Sequence, residues 1–79
     1  MYSVYVLKDD DGKLYKGMTN NLPRRLKEHR SGKTKTTRAM RDLVLIYKEE
    51  FMNFVEARKR ELYFKSAAGR RFLKTVIKV

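Results

Sequence analysis

The apolar positions of the chain fall in short runs whose spacing changes along its length. Residues Tyr2 to Leu7, YSVYVL, are β-branched or aromatic at nearly every position and predict a strand. DDDG at 9–12 is a turn signal in which Gly12 supplies a positive φ, so Lys13 to Met18 reads as the returning strand of a hairpin. Loop length decides what this hairpin presents. A three-residue loop, Asp10 to Gly12, pairs Leu7 with Tyr15 and Tyr5 with Gly17, making Tyr5 and Tyr15 diagonal neighbours on one face. A two-residue loop puts them on opposite faces, because a slip of one residue inverts the pleat.

The next segment, NNLPRRLKEH, switches to helical spacing. Asn20 or Asn21 serves as the cap and Pro23 fits the first turn. Leu22 and Leu26 share one stripe; Arg25 and His29, also four apart, share the neighbouring one. Gly32 suits the helix end. Ser31 to Asp42, SGKTKTTRAMRD, has no periodicity and mixes hydroxyls with Lys33, Lys35, Arg38 and Arg41, as a basic loop does. Leu43 to Phe51, LVLIYKEEF, is apolar on both parities where it begins and predicts a strand covered on both faces. Asn53-Phe54-Val55-Glu56 has the form of a capping box with Asn as the cap. It opens a helix to about Lys65 with Phe54, Ala57 and Phe64 on its apolar stripe. Ser66 caps a last helix whose Ala68, Phe72, Leu73, Val76 and Ile77 form an amphipathic face, with Gly69 a small local cost. The order β-β-α-β-α-α predicts an α/β fold of the α+β type. It is one domain over 1–79: a small three-stranded antiparallel sheet with helices packed on it.

Composition adds the partner. The chain has 79 residues and no cysteine, so neither a disulfide nor a thiolate metal site supplies stability. No apolar run approaches the roughly 20 residues of a membrane span, and the start lacks a charged-then-apolar signal pattern. The expectation is a soluble cytoplasmic protein with no membrane partner. Against 9 Asp and Glu stand 20 Lys and Arg, a net charge of +11 distributed from Lys8 to Lys78. Such a balance points to a polyanionic partner.

Candidate chemistry is sparse. Glu61 falls on the stripe of Ala57 and Phe64, where periodicity asks for an apolar residue. A carboxylate turned inward must be paired, protonated or metal-bound; an ion pair with Arg58 or Lys65 and a ligand role are both open. Glu56 is a helix cap. Arg24 and Arg25 point about 100° apart on their helix, so one faces outward and the other flanks the core stripe. His29 is the only histidine, which excludes a histidine-based metal cluster within one chain. Tyr5 and Tyr15 are ordinary strand residues by propensity, and Tyr2, Tyr47 and Tyr63 read as packing. Walker loops, dinucleotide fingerprints and nucleophile elbows are absent from the sequence.

Taken together these segments resemble the GIY-YIG nuclease domain across essentially the whole chain, most closely the small stand-alone bacterial proteins of that superfamily. Ser3-Val4-Tyr5 matches the first signature strand and Tyr15-Lys16-Gly17 the second. TNNLPRRLKEH is similar to the family's arginine-bearing helix, and EARKRELYFKS to its helix with the metal-binding glutamate. The resemblance implies that Tyr5 and Tyr15 lie beside the scissile phosphate, one of them accepting a proton from the attacking water. Arg25 would stabilise charge on the phosphate, and His29 would support the phosphate or the water. Glu61 would be the single protein ligand of Mg²⁺ or Mn²⁺, waters and phosphate oxygens completing the shell. The reaction implied is hydrolysis of a DNA phosphodiester by in-line attack of water, leaving a 5′-phosphate and a 3′-hydroxyl. There are departures. Ser3 replaces a signature glycine, Lys16 an aliphatic residue, and Met18 a lysine of the repair enzymes, whose late asparagine has no match here.

The expectation is thus a metal-dependent DNA endonuclease, selective for structure, with nicked, branched, damaged and single-stranded DNA all open as substrate. The alternative is a non-catalytic nucleic-acid-binding module on the same fold. Lys16, Arg24, Lys33, Lys35, Arg38 and Arg41 are the expected backbone contacts, and monomer and homodimer are both open. If binding rests on phosphates, log affinity should fall linearly with log salt, by about 0.9 for each phosphate neutralised. A flat salt dependence in a DNA titration would remove both nucleic-acid readings.

Overall fold

The computed structural model describes residues 1–32 and 40–77. In chain order these form β1 (Tyr2–Lys8), β2 (Leu14–Thr19), α1 (Leu22–Arg30), β3 (Val44–Phe51), α2 (Phe54–Lys65) and α3 (Ala67–Val76). The three strands make one antiparallel sheet in the order β2-β1-β3. The class, the element order and the antiparallel sheet are those the sequence predicts.

The hairpin takes the three-residue loop. Asp9 N donates to the Lys13 carbonyl at 3.0 Å and Gly12 N to the Asp9 carbonyl at 3.1 Å, with Gly12 at φ 86°. The Asp9 carboxylate braces the turn from inside, accepting from the amides of Asp11 (3.0 Å) and Lys13 (2.7 Å). Leu7 therefore pairs with Tyr15 and Tyr5 with Gly17.

The strand covered on both faces is β1, buried from Ser3 through Leu7, and not β3 as the apolar run at 43–46 suggested. β3 is an edge strand whose Val44 is largely exposed. Its double parity has another cause. A bulge shifts the pairing from Val6↔Tyr47 to Leu7↔Leu45 and skips Ile46. Consecutive residues Ile46 and Tyr47 thereby pack on one face, and Leu45 on the other.

Alternation along β1 divides the core. Val4 and Val6 meet Ala57 and Phe64 of α2 and Leu73 of α3 on one face. Tyr5 and Leu7 meet Leu22 and Leu26 of α1, with Tyr15 and Leu43, on the other. The result is a three-layer sandwich. Arg60 of α2 ties its layers laterally. It donates to both carboxylate oxygens of Glu49 on β3 (2.8 and 3.1 Å) and lies 4.8–4.9 Å from the ring centres of Tyr63, Phe64 and Phe72. Tyr2, Tyr47 and Tyr63 pack as expected. Phe54 does not join the stripe beneath α2: it is exposed and meets the Tyr2 ring edge-on. No described helix is long and apolar enough to cross a membrane.

The sharpest steric constraint lies where α2 turns into α3. Ser66 ends one helix and caps the next, its Oγ accepting from Gly69 N at 3.1 Å. A Cβ on Gly69 would stand 1.8 Å from the Tyr63 carbonyl oxygen and 2.7 Å from the Phe64 Cα. Gly69 is thus a contact residue, not the mild weakness that helix propensity suggests. The buried side of α3 is Gly69 and Leu73, flanked by Phe72 and Ile77, while Ala68 and Val76 face outward. In an open helix Gly→Ala would stabilise by up to about 1 kcal/mol. Here Gly69→Ala should destabilise by about 3 kcal/mol through overpacking, lowering Tm by roughly 12–24 °C. A thermal melt with Tm unchanged or raised would show that the corner yields.

Candidate active site

Tyr5 is fully buried, and the residue across from it explains how. A Cβ on Gly17 would stand 2.7 Å from the Tyr5 hydroxyl and 3.0 Å from the Tyr15 ring. The Tyr5 side chain thus lies across β2 in the space that a side chain at 17 would fill. Tyr15, two residues earlier on the same face, sits with its ring centre 6.2 Å from that of Tyr5 and is only half-buried.

Helix α1 brings the other two groups. Asn21 is the cap of the expected pair, its side chain accepting from Arg24 N at 3.2 Å. Thr19 Oγ1 accepts from Asn21 N at 3.1 Å and fixes the exit from β2. With Leu22 and Leu26 on the sheet, Arg25 and His29 necessarily flank the tyrosines. His29 is 2% exposed, its Nε2 lying 2.7 Å from the Tyr5 hydroxyl and its ring edge-on to both tyrosines. Arg25, one turn before His29 on the same stripe, acts electrostatically on the Tyr5 hydroxyl. Its Nη1 donates to Glu28 Oε1 at 3.0 Å, and about a third of the side chain stays exposed.

The electrostatics keep the buried pair neutral. Burial pushes the Tyr5 hydroxyl up to about 12, against the opposing pull of Arg25, so it retains its proton at neutral pH. Burial, and then the Arg25 charge, hold His29 below its ordinary 6.5, with Glu28 pulling the other way. Glu28 and then Tyr5 reinforce the charge of Arg25. The Nδ1–H tautomer of a neutral imidazole leaves Nε2 free to accept from the Tyr5 hydroxyl.

Glu61 belongs to the other layer. It is 6% exposed on the stripe between Ala57 and Phe64, and its oxygens accept from Arg58 Nη1 at 2.6 Å and Lys65 Nζ at 3.3 Å. The ion-pair reading of this residue is therefore realised, with both of the expected cations. Lys16 lies on the opposite face of β2 from Tyr15, the face that packs on α2 and α3. Arg24 is exposed, 4.0 Å from Glu28, and Arg41 is exposed with its carbonyl accepting from Asp10 N. Lys33, Lys35 and Arg38 lie outside the described residues. Sequence reasoning missed Glu28, which orients Arg25 and stands three residues after it, a readable helical signal. It also missed the bond from buried Ser3 to Glu50 on β3, which has no local signal.

The fold favours neutral His29, so this residue contributes stability above about pH 6.5 and loses it as pH falls through its folded pKa. An NMR titration of the imidazole should give a midpoint below 6.5, and Arg25→Gln should raise it. A midpoint above 6.5 would mean that an acid, not burial beside a cation, governs the ring.

Comparison with known proteins places the whole fold in a family. Residues 1–74 match the GIY-YIG catalytic domain, a domain that implies nuclease activity in general. A UPF0213 protein of Clostridium perfringens is 47% identical over 66 residues, covering 82% of this chain and 71% of the relative. A UPF0213 protein of Bacillus pumilus is 51% identical over 63 residues, covering 78% of this chain and 64% of its own length. The solution NMR structure of a UPF0213 protein from Bacillus halodurans superposes with a TM-score of 0.60 at 34% identity, covering 96% of this chain and 85% of that one. The chain belongs to the GIY-YIG family, alongside small bacterial UPF0213 proteins.

Proposed function

We propose that the protein is a divalent-metal-dependent endonuclease that hydrolyses DNA phosphodiester bonds, selecting substrates by structure (branched, nicked or damaged) and leaving a 5′-phosphate and a 3′-hydroxyl. The observation that carries this reading is the convergence of Tyr15, Tyr5, His29 and Arg25 from two strands and a helix onto one face. Exposure divides their roles. Arg25 and Tyr15 reach solvent and meet the substrate: Arg25 donates to the non-bridging oxygens of the scissile phosphate, and Tyr15 Oη orients the attacking water. Tyr5 and His29 are buried and act behind Tyr15. Tyr15 packs beside Tyr5 with ring centres 6.2 Å apart, and the Tyr5 hydroxyl meets His29 Nε2 at 2.7 Å. As water attacks, its proton passes to Tyr15 Oη, the Tyr15 proton to Tyr5 Oη and the Tyr5 proton to Nε2. Both phenols end neutral and the imidazole charged, so no buried tyrosinate forms.

Glu61 is the residue that would hold Mg²⁺ or Mn²⁺. One carboxylate suits an ion that keeps several waters and completes its shell with phosphate oxygens. Its present partners are half-exposed cations that can swing aside. Because Glu61 lies on the α2 side of the sheet, an ion held there would supply charge neutralisation to a phosphate that spans the β2 edge and would acidify a water of its own shell. A second reading, a nucleic-acid-binding module without turnover, is favoured by one observation: Arg58 and Lys65 already satisfy Glu61 without a metal.

Supercoiled plasmid and branched DNA, incubated with Mg²⁺ or Mn²⁺, separate the two. Wild type should cleave; Glu61→Gln and Arg25→Ala should lose about 10²-fold or more in rate, with circular dichroism retained in both and DNA binding retained in Glu61→Gln. The wild-type rate should climb with pH through the His29 pKa, and that limb should vanish in His29→Gln. Tight, salt-sensitive binding with no cleavage in either metal would establish the second reading.

A further inference from the structure

The polar groups on the two sides of β2 differ in kind. Tyr15 and Gly17 face α1, whereas Lys16 between them faces α2 and α3, paired across the hairpin with buried Val6. Lys16 is half-buried. The α2–α3 corner, packed on the same face as Val6, carries two further cations. Arg70 Nη1 donates to the Lys65 carbonyl at 3.2 Å, which pins the guanidinium over the end of α2. Lys65 Nζ is held at 3.3 Å by Glu61 Oε2. Arg58 occupies the other oxygen of that carboxylate, so Glu61 divides one negative charge between two cations and leaves Lys16 and Arg70 uncompensated by it.

We infer that Lys16, Lys65 and Arg70 form a second phosphate-binding surface, which grips the DNA backbone flanking the scissile bond while Tyr15 and Arg25 engage that bond from the opposite face of β2. This surface rests on the nuclease reading for its partner but uses none of the residues assigned to the chemistry. Three arguments support it. β2 is the sheet edge, so nothing in the sheet blocks a strand of DNA from passing over it. Clustered cations repel one another, a cost that a polyanion relieves; burial, then Arg70 and Lys65, already hold the Lys16 ammonium below the ordinary lysine range. Arg70 is exposed and tethered by one hydrogen bond, and its planar fork suits bidentate contact with phosphate oxygens. Adjacent residues Tyr15 and Lys16 would then fix the register of the substrate on the enzyme, because they point to opposite sides of a single strand.

The test is anisotropy with a labelled branched duplex over a range of salt, comparing wild type with Lys16→Gln/Arg70→Gln. Losing two phosphate contacts should make the log–log salt slope shallower by about 1.8 and weaken binding by roughly 10-fold or more at low salt. A control pair, Lys59→Gln/Lys74→Gln, removes the same charge from exposed positions on α2 and α3 and should leave the slope within about half a unit of wild type. Lys16→Arg should bind as wild type. Equal slopes for the two double variants would overturn the surface while leaving the nuclease reading intact. A wild type that binds no DNA would overturn both, and that outcome is distinct because its own slope is flat. Thermal melts check that each variant folds, and Lys16 Nζ resonances shifting on addition of the duplex give a readout independent of affinity.

Discussion

The arrangement depends on one close approach: the Tyr5 hydroxyl lying over Gly17. A large polar side chain at the centre of a sheet needs space and a hydrogen-bond partner. Gly17 provides the space and His29 the partner, at 2.7 Å. Each then constrains the rest. For Gly17 to stand opposite Tyr5 the hairpin must close with the three-residue loop that Asp9 braces. For His29 to reach Tyr5, α1 must start at the Asn21 cap and lay Leu22 and Leu26 on the sheet. Tyr15 and Arg25 then follow from strand alternation and helical spacing.

A chain with 9 acids and 20 strong bases has few negative charges to use, and the structure assigns several of them to specific tasks. Asp9 holds the turn, Glu28 orients Arg25, and Glu49 clamps Arg60. Glu61 holds Arg58 and Lys65, and Glu50 accepts from Ser3. These acids position cations without neutralising the whole, and the excess that is left faces solvent, where a polyanion can meet it. Net stability from exposed pairs of this kind is small. Their value lies in fixing where the positive charge is presented, above all at Arg25.

Arg60 shows how a charged residue can serve the core. Its guanidinium covers the rings of Tyr63, Phe64 and Phe72 while its hydrogen bonds reach across to β3. It thereby joins the α2–α3 corner to a sheet edge that side-chain packing alone leaves half-exposed. The tight approach at Gly69 brings Phe72 and Phe64 to a stacked pair 6.2 Å apart, which gives that guanidinium a surface to rest on.

Local signals in the sequence sufficed for the elements and their caps, since Asn21, Asn53 and Ser66 act on amides within three residues. They sufficed as well for the hairpin alternatives and for Arg25 and His29 sharing a stripe, because strand and helix periods are short-range geometry. Other features required the folded chain. Which strand is central depends on pairing between residues some forty positions apart, so the apolar run of β3 misled while β1 took the covered place. Whether Gly69 weakens a helix or permits a corner depends on where the preceding helix ends. Ser3 meeting Glu50 and Arg60 meeting Glu49 are contacts between elements, and sequence spacing carries no record of them. For Glu61 the partners were legible, since Arg58 and Lys65 stand at helical spacing on the same helix, but the burial of its carboxylate, which makes their compensation matter, came only when α2 settled on the sheet.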